Sequence, residues 1–208
     1  MQNENLEVIF MPGRTKEYGE KLREATRNKI ITAAVALFAE KGLAATSAKD
    51  IASLAGVSVG LMYHYFKTKE EAFAALLEYA MCDIDDIKNS LASDCPLDSL
   101  NELVSEILKS LHAGYEFSQW MAILSQPLAK SYNSELREKI EYFDRQFIEQ
   151  IAILIKQGQK QNKFKMGEPN MLAQYFLSTL LGICTLQLSL REDFIVPSKE
   201  TLTAFLLS

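Results

Sequence analysis

The 208-residue chain is 48% hydrophobic and 24% charged, proportions ordinary for one folded domain or two small ones that bury a core without disulfide or metal support. Three widely spaced cysteines, Cys82, Cys95 and Cys184, with no Cys-x-x-Cys pair, indicate neither a disulfide framework nor a zinc ribbon but free thiols in a reducing compartment. Net charge is −5, yet the stretch from Arg14 to Lys69 carries ten lysines and arginines against five acids, and the chain after Lys69 carries twelve against twenty; a basic quarter on an acidic body suits a phosphate-binding head, because local potential governs affinity for polyanions.

The first residues are polar and acidic, and the apolar run Val8–Met11 is too short for a signal peptide. No uninterrupted apolar run approaches the roughly 18 residues of a membrane span. The expectation is a cytoplasmic protein with no membrane partner. Residues 1–25 read as a leader, in which Arg14, Lys16, Lys21 and Arg23 form either a basic arm for phosphate or a minor groove, or a merely solvated tail.

Helical spacing runs through almost the whole chain. Thr26–Lys41 reads as a helix with Ile30, Ala34, Leu37 and Phe38 on one face, closed by Gly42. Short helices follow at about Ser47–Ala55 and Val59–Phe66, then a connecting helix from Lys69 towards Ser90, broken by Asp94-Cys95-Pro96. Further helices are predicted at Leu97–Ala113, Phe117–Ser131, Ser134–Gln161, Pro169–Leu190 and Ser198–Leu207, with a polar turn at Gly158–Gly167. The fold class is therefore all-α: a three-helix N-terminal head over residues 26–75 and a helical bundle over 76–208.

The most informative segment is Thr46–Glu71. Ser47 with Asp50 makes a capping box that opens a helix expected to bury Ile51, Leu54 and Ala55. Gly56 allows a tight turn through positive φ, and Ser58 caps the next helix. Helix, glycine turn and helix within about twenty residues is the helix-turn-helix pattern. With Met62 directed at the core, 100° per residue brings Phe66 beside it and sends Gly60 and His64 roughly 160° away. Val59 and Tyr63 then fall on one exposed flank, Leu61 and Tyr65 on the other. An outward helical glycine costs about 1 kcal/mol relative to alanine, which makes sense where another body must approach the backbone, as a major-groove wall does. Val59 and Leu61 are positioned for thymine methyls, and Tyr63 and His64 for phosphates or base edges. Thr68 with Glu71 opens the connecting helix, where Lys67 and Lys69 seat a phosphate.

The run from Thr26 to about Leu77 resembles the DNA-binding domain of the TetR family, whose usual form is a first helix ending in "LF…G" and then "T…IA…AGVS.G.LY.YF..K..L". Here those positions are Leu37-Phe38, Gly42, Thr46, Ile51-Ala52, Ala55-Gly56-Val57-Ser58, Gly60, Met62-Tyr63, Tyr65-Phe66, Lys69 and Phe73; Met62 and Phe73 stand where leucine is usual. The resemblance implies DNA contacts from Thr46, Ser47, Ser58, Val59, Gly60, Tyr63, His64 and Lys69, to which the geometry adds Lys49 and Leu61. It implies a homodimer on a pseudo-palindromic operator, with reading helices about 34–36 Å apart. It also implies a small-molecule effector, with no cofactor or metal.

For the bundle, Pro169–Leu190 is apolar nearly all round with small residues interspersed, so it needs burial on more than one side. Ala173, Ser178, Gly182, Leu186, Leu202 and Phe205 are the expected dimer face, the alternative being burial within one chain. Phe117, Trp120, Met121, Leu124, Tyr142, Phe143, Phe147, Tyr175 and Met81 are candidates to line an apolar cavity for an uncharged or amphipathic effector; plain core is the competing reading. The two histidines, His64 and His112, lie outside any metal-ligand spacing, and no P-loop, dinucleotide-binding or nucleophile-elbow motif occurs. An all-helical enzyme with paired carboxylates and a dimeric adaptor with a vestigial head are the rivals, and retained DNA binding disposes of both.

Overall fold

The computed structural model describes residues 12–78, 94–125 and 134–207. It is all-α in the described residues, with one isolated bridge between Phe164 and Leu207. The elements are α1 (Pro12–Ala45), α2 (Ala48–Ala55), α3 (Val59–Tyr65), α4 (69–78), α5 (Pro96–Ala113), α6 (Glu116–Ser125), α7 (Ser134–Lys160), α8 (Pro169–Leu190) and α9 (Lys199–Thr203).

Helix α1 starts at Pro12, so the expected leader boundary at residue 25 falls inside a continuous helix. Proline at a helix start needs no N–H partner. From there the helix runs on through Gly19 as far as Gly42, whose φ of 77° ends regular helix as expected. Ile30, Ala34 and Phe38 are fully buried and Leu37 half-buried. Phe38 packs on Phe73 of α4 with ring centroids 5.5 Å apart, joining the first helix of the head to the helix that leads out of it.

In the body, α8 packs along α7 and α6, α7 also meets α5, and α6 lies against α1, so the head rests directly on the bundle. A buried polar bolt holds three of these helices. Gln187 of α8 accepts the Ser118 hydroxyl proton of α6 at 2.5 Å and donates to the Leu111 carbonyl of α5 at 2.8 Å. That carbonyl lies in the last turn of α5, where no intrahelical donor remains for it. Cys184, buried beside this group, has its thiol pushed up by desolvation. Cys95 is exposed, and Cys82 lies outside the described residues.

The turn between α7 and α8 is built around Gly158. A Cβ there would stand 2.4 Å from the Phe164 ring, so the glycine lets that ring bury itself against α7. Lys165 N–H donates to the Leu206 carbonyl at 2.8 Å and fastens the C-terminal segment to this turn. The terminal helix is shorter than expected, ending at Thr203.

Helix α8 matches its predicted bounds, but Pro169–Asp193 is also long and apolar enough by composition to cross a bilayer. Its serines, threonines and glutamines interrupt the apolar run without adding charge. In the fold, Ala173, Phe176, Leu177, Leu180, Cys184 and Gln187 point into the core.

Candidate nucleic-acid interface

The head forms as its capping residues dictate. Ser47 accepts the Asp50 N–H and Asp50 accepts the Ser47 N–H, each at 3.1 Å, the reciprocal box that opens α2. Asp50 also accepts from Lys41 Nζ at 3.0 Å. The Lys41 hydrogen bond first, then the Ser47 hydroxyl and N–H, hold its carboxyl down to about 2. Gly56 closes α2 in the left-handed region at φ 67°, ψ 32°. Ser58 then accepts the Leu61 N–H at 3.1 Å and opens α3, which leaves its own hydroxyl proton to donate elsewhere.

Helix α3 has the two faces that its sequence demands. Met62 is fully buried and Phe66, its C-cap, nearly so. Ser58, Val59, Gly60, Leu61, Tyr63 and His64 are all exposed, Tyr63 by 50%. A Cβ on Gly60 would meet nothing closer than the Ser58 hydroxyl at 4.0 Å. Nothing among the described residues therefore requires glycine at that position. Ser47 and Lys49 are also exposed, at the start of α2.

Two expected contact residues lie elsewhere. Thr46 is only 2% exposed, and its hydroxyl donates to the Gly42 carbonyl at 2.8 Å and to the Leu37 carbonyl at 3.3 Å. Lys69 is turned inward. Its ammonium donates to the carbonyls of Leu43 at 2.7 Å, Ala44 at 3.0 Å and Thr46 at 2.8 Å. All three protons of the ammonium are thus occupied, and the side chain clamps the start of α4 onto the α1–α2 corner. Both residues shape the head rather than stand on its surface. Thr68 caps α4 as expected, but Glu71 reaches back one residue further, to the Lys67 N–H. Leu54, expected in the core, is 56% exposed; Ala52 takes the inward place beside Ile51.

A buried Met62–Phe66 seam under an exposed, glycine-bearing face, capped by serine and preceded by a left-handed glycine turn, is a complete helix-turn-helix. The profile described as "Bacterial regulatory proteins, tetR family" matches residues 30–76, the head just described. The uncharacterized HTH-type transcriptional regulator YfiR of Bacillus subtilis is 29% identical over 179 residues, covering 83% of this chain and 82% of that protein. The head is a TetR-family DNA-binding domain. The HTH-type transcriptional repressor KstR2 of Mycobacterium tuberculosis is 40% identical over 81 residues, which is 37% of this chain and 40% of KstR2. Among solved structures, NalD, the secondary repressor of the MexAB-OprM multidrug efflux pump in Pseudomonas aeruginosa, superposes with a TM-score of 0.64 at 29% identity, over 88% of this chain and 96% of NalD. A SmeT–triclosan complex shares the fold, with a TM-score of 0.67 at 22% identity over 88% of this chain and 92% of SmeT. Proteins of this TetR-family group are helix-turn-helix transcriptional regulators rather than enzymes.

The body divides its expected residues differently. Phe117 and Trp120 are half-buried and Met121, Leu124, Phe143 and Phe147 buried, all in or against the core. Tyr142 is exposed and lines a cleft of about 680 Å³ between α4 and α7, with Leu77, Glu138 and Arg145. Tyr175 is also exposed, edge-on to Phe205 at 4.7 Å, so it belongs to the outer face of α8 rather than to a cavity wall. Met81 lies outside the described residues. Of the expected dimer face, Ser178, Gly182 and Leu186 are exposed on α8 and Phe205 is half-buried. Ala173 and Leu202 are core residues, 0% and 2% exposed. Sequence reasoning missed Met171 and Leu190, which extend the exposed apolar line of α8 to both ends. Their spacing from Tyr175 and Leu186, four residues each, is the signal that marks them.

Proposed function

We propose that this chain is a ligand-responsive repressor that binds a pseudo-palindromic operator as a homodimer, working in the cytoplasm. The observation that carries the DNA-reading part is the outer face of α3. Val59, Gly60, Tyr63 and His64 stand clear of a fully buried Met62, and the open space over Gly60 admits a groove wall to the backbone. Ser58, Leu61, Ser47 and Lys49 flank that face. The residues 26–75 and 76–208 serve as a reading head and a sensing and pairing body.

Support for pairing comes from α8. Met171, Tyr175, Ser178, Gly182, Leu186 and Leu190 are exposed along one line, and a contiguous apolar strip of this kind marks an interface. A second copy packed on the same strip gives a two-fold dimer with two reading helices. Leu186→Glu places a charge in that strip where the monomer has only solvent. The expected result in sedimentation is a monomer with unchanged helicity and operator affinity reduced by at least a hundredfold. A dimer of unchanged stability would sink the pairing reading.

An effector fits the same scheme. NalD, a repressor of a multidrug efflux pump, and the SmeT–triclosan complex agree with an apolar or amphipathic compound held among Phe117, Trp120, Met121, Leu124, Phe143 and Phe147. Two routes lead from there to the head: α6 rests on α1, and Lys139 of α7 pairs with Glu78 of α4 at 3.9 Å. Driving the protein from 1:99 to 99:1 between operator-binding and released arrangements takes about 5.5 kcal/mol of differential affinity.

A further inference from the structure

Helix α1 reaches well beyond the segment shared with the family, beginning at Pro12 where the match begins at residue 30. Every residue from Glu20 to Ala25 is exposed. The extension is nonetheless oriented by the head. The Arg27 guanidinium lies over the Phe66 ring, 5.3 Å from its centroid, and Phe66 is the C-cap of α3. The cation over the ring face fixes which side of α1 looks towards the end of the reading helix.

One turn further out stands Arg23. At 100° per residue it lies about 40° from Arg27 and about 20° from the direction of buried Ile30, displaced roughly 6 Å along the axis from Arg27. The other charges on this stretch point elsewhere relative to Ile30: Glu20 and Glu24 roughly 80° and 120° round, and Lys21 on the opposite side. Arg23 therefore continues the inward line of α1 past the place where the protein core stops. A helix lying in a major groove about 12 Å wide has a phosphate strand along each border. The inward line of α1, just beyond the end of α3, runs towards such a border.

We propose that Arg23 is a phosphate contact outside the helix-turn-helix, set by the α1 extension on the backbone that flanks the groove entered by α3. The proposal rests on the DNA-reading assignment of α3. It gives the protein a footprint longer than its reading helices require, with affinity that depends on duplex flanks of any sequence.

The test compares wild type, Arg23→Gln, Arg23→Lys and Lys21→Gln on a duplex recovered by selecting random DNA on the wild-type protein, with short and with extended flanks, between about 50 and 200 mM salt. One phosphate per protomer is two per dimer, a slope change of about 1.8. The wild-type advantage over Arg23→Gln should thus shrink about twelvefold across that salt range. Arg23→Lys should keep most of the slope, because phosphate accepts a point charge. Lys21→Gln, which removes the same charge from the opposite face, should leave slope and flank dependence as in wild type. Equal losses from Arg23→Gln and Lys21→Gln would overturn the proposal in favour of a diffuse field, as would no loss from either. Melting curves of the free variants check that helix content is unchanged; a loss of slope restored by Arg23→Lys identifies the charge rather than the fold as its source. Failure of wild type to bind any duplex would instead bring down the assignment of α3.

Discussion

Replacing Lys69 with methionine keeps the aliphatic stem and removes the ammonium. That ammonium makes three hydrogen bonds, at 2.7, 3.0 and 2.8 Å, to the carbonyls of Leu43, Ala44 and Thr46. A hydrogen bond with a charged partner contributes roughly 1.5–3 kcal/mol. The three share one half-buried ammonium, and the residue Ala44 is exposed, so its carbonyl regains water; the Leu43 and Thr46 carbonyls belong to buried residues. We expect a net loss of about 2–3 kcal/mol, a fall of roughly 4–12 °C in melting temperature for a chain of this size. Operator affinity should fall as well, because the clamp fixes α4 against the corner from which α2 and α3 are hung. The salt dependence of binding distinguishes this from a direct contact. A positioning lysine leaves the slope of log affinity against log salt unchanged, whereas loss of a phosphate ligand reduces it by about 0.9 per protomer. The assay is a thermal melt beside an anisotropy titration at several salt concentrations. A reduced slope with an unchanged melting temperature would refute the clamp and restore Lys69 as a phosphate contact.

Gly60→Ala should fold at least as well as wild type, gaining up to about 1 kcal/mol of helix propensity, since its Cβ enters open space. The same variant should bind operator at least tenfold more weakly; unaltered affinity in a filter or anisotropy assay would show that no groove wall approaches that backbone. The Asp50 carboxyl, lowered to about 2 by its bonds to Lys41 and Ser47, contributes stability that is fully present above its unfolded value near 3.8 and is lost as pH falls through about 2. Acid unfolding of Asp50→Asn should therefore show a shallower dependence on pH between 4 and 2 than wild type, and parallel curves would mean the capping box adds nothing there.

The parts of this fold set by neighbours in sequence were readable from it. Ser47, Asp50, Gly56 and Ser58 act within four residues of themselves, so their residue types and spacing define the turn and both helix starts. Met62 and Phe66 are four apart on one helix, and their burial fixes the outward face without further information. Thr46 and Lys69 were misplaced because their partners are backbone carbonyls at a corner, and a carbonyl carries no mark in the sequence. Lys69 reaches across 23–26 residues to find them. Leu54 is exposed because α2 is only eight residues long and turns its Ile51–Ala52 edge inward, an orientation that hydrophobicity alone does not choose. Ala173 shows the ambiguity of small residues: a small side chain admits a close neighbour, and here α8 has its close neighbours within the chain. The start of α1 was lost for a different reason, since exposed helix without an apolar stripe has the same composition as a solvated tail.

The central claim is that two copies of α3 read a symmetric duplex. Selection of random duplex DNA on the purified protein at physiological salt tests it most directly. The account predicts an enriched motif with two-fold symmetry, its half-sites one helical turn apart, and loss of that enrichment when Tyr63→Ala replaces wild type. Absence of any enriched sequence, at low as well as physiological salt, would contradict it.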